Sequence, residues 1–186
     1  MVPLTALWAP ILLSAVVVFI VSAMIHMMLP YHRSDYRKLK SEDEVMAALR
    51  PFNLEPGDYM LPCAPTAKEM KAPGYAEKLN QGPVAIMTVM KPGRISMTGS
   101  LVQWFIYCVV VGVFAAYISS RALPPGADYR AAFRFAGCTA FAGHSLALLH
   151  NSIWYKKSWS ATFKSVFDGL IYALLTGGVF GWLWPR

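Results

Sequence analysis

The chain has 186 residues, of which 56% are hydrophobic and only 15% are charged, and its mean hydropathy is +0.41. Water-soluble domains carry about 25% charged residues, so this composition excludes an ordinary soluble domain. The formal net charge of +7 is compatible with nucleic-acid binding. The basic residues, however, are placed as in a membrane protein, and we expect no nucleic-acid partner.

Four long stretches of the chain carry no charged residue: before Arg33, between Arg94 and Arg121, between Arg134 and Lys156, and after Asp168 as far as Arg186. A helix that crosses the roughly 30 Å hydrocarbon core of a bilayer needs about 18 or more mostly apolar residues. The sequence therefore predicts an all-α integral membrane protein, a four-helix bundle with transmembrane helices at about 7–29, 98–120, 132–155 and 163–184.

The first apolar stretch is predicted to be a retained helix and not a cleaved signal peptide. A signal peptide begins with a positively charged region, and no Lys or Arg occurs before Arg33. The end of the stretch, residues 23–33 (AMIHMMLPYHR), also offers no clear small-residue cleavage site. Residues 1–30 are therefore assigned to transmembrane helix 1.

The basic residues set the predicted orientation. Thirteen of the 17 Lys and Arg residues lie in segments 31–97 and 156–164, and the other four lie at the opposite ends of the predicted helices. Loops rich in Lys and Arg stay on the cytoplasmic side. The sequence thus predicts a multi-pass protein of the plasma (inner) membrane of a bacterium, with residues 31–97 cytoplasmic and both termini outside.

Residues 31–97 are predicted to form a small cytoplasmic α+β module between helices 1 and 2. The pattern indicates helices at 41–50 and 74–82, and strands at 57–62 and 83–90 that are bounded by Gly and Pro. Such a module is too small to bury much core by itself. Residues 98–186 complete the chain with helices 2–4 and short loops.

The sequence gives no sign of an enzyme. It contains no phosphate-binding loop, no dinucleotide-binding GxGxxG, no HExxH, no CxxC and no GxSxG. The three cysteines, Cys63, Cys108 and Cys138, show no paired spacing and predict no disulfide. Cys63 has no histidine near it in sequence that could activate it.

Small residues recur along three of the predicted helices at spacings that place them on one face. Such faces let helix backbones approach closely. The residues predicted to pack in this way are Gly112, Ala116, Gly137, Ala140, Gly143, Ala147, Gly177 and Gly181. Because His144 and His150 lie on the small-residue side of predicted helix 3, we expect both histidines to point into the bundle.

The predicted orientation places several polar side chains near the cytoplasmic ends of the helices. This candidate polar layer consists of His26, Gln103, His144, His150, Asn151 and Asp168. Ionisable groups at membrane depth are costly and mark candidate functional sites. Near the interface they also serve plain structural roles, such as pairing of Asp168 with Lys164.

Three classes of function remain open at this point. The preferred one is a non-catalytic subunit or scaffold of a membrane complex, which binds a protein partner through residues 31–97 and the small-residue faces. The first alternative is a small homo-oligomeric transporter or channel that uses the polar layer. The second is a haem- or metal-binding module, with haem on His26 and a helix-3 histidine, or copper(I) on residues 24–28 (MIHMM). No haem-specific spacing occurs, and the sequence predicts no cofactor or bound metal.

Overall fold

A computed structural model describes all residues from Met1 to Arg186, and the protein is mostly helical. The chain divides into two compact units: Met1–Arg37 together with Ser96–Arg186, and Lys38–Ile95. In chain order the elements are α1 (Trp8–Met28), α2 (Glu42–Leu49), β1 (Gly57–Leu61), α3 (Ala67–Met70), α4 (Pro73–Gln81), β2 (Ala85–Val89), α5 (Thr98–Ala122), α6 (Tyr129–His144), α7 (Leu149–Ile153) and α8 (Trp159–Trp182).

Three helical segments of the first unit are long and apolar enough to cross a membrane: Leu4–Met28, Thr98–Ala122 and Trp159–Trp182. Each has 24 or 25 residues, and their mean hydropathies are 2.5, 2.1 and 1.3. At 1.5 Å per residue such helices reach about 36 Å, which exceeds the hydrocarbon thickness. These segments match predicted helices 1, 2 and 4, and they support a multi-pass membrane protein.

The third predicted helix, 132–155, is not one continuous helix. α6 begins earlier, at Tyr129, and ends at His144 after 16 residues. The backbone then turns at Ser145 and forms a 3₁₀ turn, Leu146–Leu148, before the short α7. The Ser145 hydroxyl donates to the Val166 carbonyl of α8 at 3.3 Å. Serine side chains that bond to backbone groups compete with helix formation, and here the acceptor lies in another element.

Glycines bring α6 and α8 into close contact. A Cβ atom placed on Gly177 would lie 2.8 Å from the Phe133 carbonyl oxygen and 3.2 Å from the Gly137 Cα. A Cβ atom placed on Gly181 would likewise lie 2.7 Å from the ring of Tyr129. Ala140 is fully buried at this contact. The predicted small-residue face therefore packs inside this unit, between its own helices.

Two members of the predicted small-residue face are exposed, and one of them, Ala147, lies beyond the interruption of the helix. Ala147 is exposed in the 3₁₀ turn, and Gly143 is exposed at the end of α6, where a Cβ would meet Val111 at 3.2 Å. The +3/+4 spacing that joined Ala147 to Gly137 and Ala140 requires an unbroken helix, whereas Gly143 lies within α6. Both were predicted to pack within a continuous helix face, and for Ala147 that prediction is wrong.

The other helix pairs of the first unit are α1 with α5, α5 with α6, and α1 with α8. Gly112 of α5 lies against Ile11 of α1, with 3.3 Å between its ideal Cβ and the Ile11 carbonyl oxygen. Ala116 is fully buried beside it. Phe180 and Leu7 are the largest fully buried side chains of the apolar cluster at this end. Large apolar side chains on the remaining helix faces are exposed, as on a surface that meets lipid.

The second unit contains an antiparallel pair of strands. Residue Gly57 of β1 pairs with Val89 of β2, and the register continues to Leu61 with Ala85. The two strands and the helices α2 and α4 lie where the sequence predicts them. Ala64 is the one buried residue between Lys38 and Ile95.

Substitution of Gly177 by alanine is expected to destabilise the protein by about 1–3 kcal/mol, the usual cost of overpacking a tight contact. The added methyl group would overlap a backbone carbonyl oxygen that cannot move without separating α6 from α8. The measurement is the unfolding free energy of the purified protein in mixed detergent micelles.

Gly178→Ala is the matched control. Its Cβ would meet only the Tyr129 hydroxyl, at an ordinary 3.8 Å. Alanine also favours a helix by up to about 1 kcal/mol over glycine, so this variant should be as stable as wild type or slightly more stable. Equal stability of the two variants would show that the α6–α8 contact is not as tight as described.

Candidate functional site

A cluster of ionisable side chains joins the segment after α1 to α8. Pro30 follows α1 and begins a 3₁₀ turn, Pro30–Ser34, that carries Tyr31 and His32. Proline suits the first position of a helical turn because its missing N–H is not needed there. The turn places Tyr31 and His32 against Asp168, a buried residue of α8.

His32 lies between two carboxylates. Its Nδ1 is 2.6 Å from Asp35 Oδ2, and its Nε2 is 2.7 Å from Asp168 Oδ2. An imidazole can donate from both nitrogens only when it is protonated and positively charged. The Tyr31 hydroxyl donates to the other oxygen of Asp168. Both oxygens of this buried carboxylate therefore have partners.

Lys164 closes the cluster on the side of Asp35. Its ammonium group donates to the Tyr31 carbonyl at 2.7 Å, to the Ser34 hydroxyl at 2.7 Å and to Asp35 Oδ1 at 2.8 Å. With His32 protonated, the cluster contains two positive groups and two carboxylates. Charges in a partly buried site are tolerated when they are paired in this way.

The surroundings change the pKa values of three of these groups. Burial by itself lowers the pKa of His32, but the hydrogen bonds and negative charges of Asp35 and Asp168 outweigh it and raise the pKa above its usual 6.5. Burial would raise the pKa of Asp35, but Lys164 and His32 lower it below its usual 3.8. Burial and the bond to Asp168 raise the pKa of Tyr31, which stays protonated as a donor.

His26 extends the cluster at the end of α1. Its ring stacks on that of His32, with 4.6 Å between the ring centroids and 9° between the ring planes. His26 Nδ1 is 3.0 Å from the Ser22 carbonyl oxygen. A carbonyl only accepts, so Nδ1 carries the proton and Nε2 keeps its lone pair in the neutral ring.

Three side chains of the cluster could hold a metal ion together. His26, His32 and Asp168 each offer one ligand atom, and these atoms all lie within 4.8 Å of one another. Two imidazoles and one carboxylate form a ligand set that suits zinc and similar divalent ions.

The structure brings together only part of the predicted polar layer. Of its members, His26 and Asp168 meet. Gln103 and His150 are exposed. Asn151 is half-buried, and its backbone carbonyl accepts a hydrogen bond from the Lys157 backbone N–H. The prediction that His150 points into the bundle is wrong, because the interruption at Ser145 gives α7 a new helical register.

His144 is buried, but it lies among aromatic rings and not in the ionisable cluster. Its ring is 5.8 Å from that of Trp104, 5.6 Å from Tyr107 and 5.5 Å from Tyr172. Its Nδ1 has no hydrogen-bond partner. His26 stacks on His32, His144 lies among these three aromatic rings, and His150 is exposed. The structure therefore gives no support to haem bound between His26 and a helix-3 histidine.

Sequence reasoning missed His32, Tyr31 and Asp35. All three lie just beyond an apolar stretch, in PYHRSD (residues 30–35), where polar residues normally face water. A usable signal was the proline that starts a turn, followed at once by a tyrosine, a histidine and an aspartate. What the pattern could not provide was the partner, Asp168, which lies 136 residues further along the chain.

The free energy of unfolding should fall as the pH rises through 6.5 and beyond, because the pKa of His32 is raised above 6.5 in the folded protein. A histidine with a raised pKa in the folded state contributes stability that is complete below its unfolded pKa and is lost as the pH passes its folded pKa. Asp35, whose pKa is lowered in the folded state, contributes stability at neutral pH. That contribution is lost only as the pH falls into the acid range. The measurement is the thermal unfolding midpoint in detergent with a metal chelator present.

His32→Gln should flatten this pH dependence, whereas the control His150→Gln, which replaces an exposed histidine, should keep it. An unchanged slope in His32→Gln would contradict the assignment of the titrating group.

Comparison with known proteins adds no family to this description. No protein-family model matches the chain, no curated protein matches it, and no solved structure matches it. The residues and contacts of this chain are accordingly the basis of the function proposed for it.

Proposed function

We propose that the chain is a non-catalytic subunit or scaffold of a membrane complex, which binds a protein partner through Lys38–Ile95. The observation that carries the proposal is the lack of a core in this unit, where Ala64 is the one buried residue. A unit of about 60 residues is marginal even when it buries an ordinary core. Apolar surface supplied by a partner would provide the hydrophobic core that the unit does not have.

Exposed apolar side chains mark the surface proposed for the partner. Met60 and Ile86 stand opposite each other in the strand pair and are 45% and 47% exposed. Further apolar residues of the unit are exposed: Phe52, Val84, Met90 and Ile95. Contiguous exposed apolar surface is typical of interaction sites.

The charges of Lys38–Ile95 favour a protein partner over the lipid surface. Basic and acidic residues occur in this unit in nearly equal numbers. Binding to anionic lipid headgroups depends on clusters of Lys and Arg. The small-residue faces of the helices are no longer part of this proposal, because Gly137 and Gly177 are occupied by the contact between α6 and α8.

We further propose four membrane spans, with the interrupted α6–α7 segment as the third in chain order. Interrupted helices are tolerated at membrane depth where the non-helical backbone is buried in protein. Ser145, the residue at the interruption, is fully buried and bonds to α8. In this arrangement both termini lie outside the plasma membrane of a bacterial cell, and Lys38–Ile95 lies in the cytoplasm.

Transport is the weaker proposal. A pathway along the polar layer would need its members to line one route, yet Gln103 and His150 are exposed on other surfaces. The groups that do meet at Asp168 bond to one another. Flux through proteoliposomes that is abolished by Asp168→Asn would nevertheless favour transport over the subunit role.

Native mass spectrometry of the protein released gently from its own membrane tests the subunit role. We expect a hetero-complex, and Ile86→Thr should lower recovery of the partner at least tenfold while the chain stays folded. Thr88→Ser, two residues further along β2 on the same face, is the control and should keep the partner. A lone monomer or a pure homo-oligomer would contradict the proposal.

Cysteine labelling with a membrane-impermeant maleimide tests the four spans. With Cys108 and Cys138 replaced by alanine, the exposed Cys63 should label only in inverted vesicles. Lys157→Cys in a background without native cysteines should behave like Cys63, and Pro125→Cys should label in intact cells. Labelling of Lys157→Cys from outside would mean that the α6–α7 segment does not cross the membrane.

A further inference from the structure

We propose that His26, His32 and Asp168 form a binding site for one divalent metal ion of the zinc class. The site lies where α1 ends and where the Pro30–Ser34 turn meets α8. This proposal goes beyond the subunit role and does not depend on it, because none of the three ligands belongs to Lys38–Ile95.

The separation of the ligand atoms suits a single ion after small shifts of the side chains. Zinc binds histidine nitrogen and carboxylate oxygen at about 2.0–2.2 Å, so two ligands of a tetrahedral ion lie roughly 3.3–3.6 Å apart. The three ligand atoms here lie within 4.8 Å of one another. His32 Nε2 and Asp168 Oδ2, now 2.7 Å apart, therefore have to separate by roughly 0.6–0.9 Å, and the most distant pair has to approach by at most roughly 1.5 Å.

The hydrogen bonds around the two histidines are those of metal ligands. A histidine that binds a metal usually donates its other ring N–H to a carboxylate or a backbone carbonyl, which fixes the tautomer. His26 Nδ1 bonds to the Ser22 carbonyl oxygen, and His32 Nδ1 bonds to the Asp35 carboxylate. In both rings Nε2 is the nitrogen left to bind an ion.

The contact between His32 and Asp168 requires a proton or a metal ion shared between its two atoms. When His32 carries its proton on Nδ1 alone, Nε2 and Asp168 Oδ2 face each other with lone pairs 2.7 Å apart. A second proton fits in that space, and a metal ion can bind both atoms once they have moved slightly apart. Tyr31 holds the other oxygen of Asp168 and Lys164 binds Asp35, so neither competes for Oδ2.

Binding of an ion requires His26 to turn. A metal lies close to the plane of each imidazole that binds it, and the two rings are now within 9° of parallel at 4.6 Å. His26 is exposed, and the one hydrogen bond of its side chain goes to its own helix. Its ring is therefore the part of the site that can move most, whereas His32 and Asp168 have only to separate slightly.

The ligand types select among metals. Calcium and magnesium prefer sites made of oxygen ligands, and copper(I) prefers sulfur ligands. The nearby methionines Met24, Met27 and Met28 are all more than half exposed and do not complete the site. Two nitrogens and one carboxylate oxygen, with a fourth position free for water, match zinc.

Zinc titration against a chelating dye tests the site on the full chain, free of any polyhistidine tag and stripped of metal in detergent. We expect one ion per chain and a visible absorption band when cobalt(II) replaces zinc. His26→Ala should weaken binding at least tenfold, and it leaves the bonds among Tyr31, His32, Asp35 and Asp168 in place. Asp35→Asn, which removes the carboxylate bonded to both His32 and Lys164, should weaken binding about 10- to 100-fold.

His150→Ala is the matched control, because it removes an exposed histidine outside the cluster. Its affinity for zinc should equal that of wild type. If wild type bound zinc no more tightly than His26→Ala does, that result would overturn the proposal. So would equal competition by magnesium, which would indicate nonspecific binding to carboxylates. Because His26 is exposed and its side chain bonds only to its own helix, His26→Ala should fold as wild type does, and its result is interpretable even if Asp35→Asn disturbs the cluster.

Discussion

The close contact of α6 with α8 at Gly137 and Gly177 is the constraint on which the rest of the helical unit depends. Two backbones that approach this closely allow little rotation of either helix, because any turn would place a larger side chain in the gap. The register of α8 is thereby set. Asp168 lies nine residues before Gly177, which at about 100° per residue is the opposite side of the helix.

α8 therefore has two faces with different chemistry. One is lined by Gly169, Ala173 and Gly177 and packs on α6, where bulk is excluded and no charge is present. The other carries Asp168 and Lys164 and receives the end of α1 and the turn that follows it. The first contact is stabilised by close packing, and the second is stabilised by paired charges and hydrogen bonds. The same helix thus holds two neighbours by two independent mechanisms.

The long apolar stretches were enough to predict three helices, because hydrophobicity over 18 or more residues is a property of the local sequence. The interruption of the third predicted helix was not predictable in this way. It depends on a carbonyl of Val166 and on the absence of a side chain at Gly169, whose Cβ would lie 2.1 Å from the Ser145 hydroxyl. Both features belong to another helix.

The same reasoning explains the candidate site. His26 and Asp168 could be singled out because polar residues within apolar stretches stand out. His32 could not, since a histidine in a polar loop looks ordinary until a buried carboxylate is known to face it. The error over His150 arose from extending a helical spacing across the interruption. Sequence spacing is informative only as far as the helix that carries it.

The ionisable cluster also shows how a structural role and a binding role can occupy the same residues. While His32 is protonated, the segment after α1 is held on α8 by paired charges, and no further ligand is needed. When His32 loses the proton on Nε2, two lone pairs face each other at 2.7 Å and the contact becomes repulsive. A divalent ion bound to both atoms, after they have separated slightly, restores the attraction and adds a bond to His26. Proton and metal would thus be alternative means of holding the same two segments together, with Asp168 bound in either case.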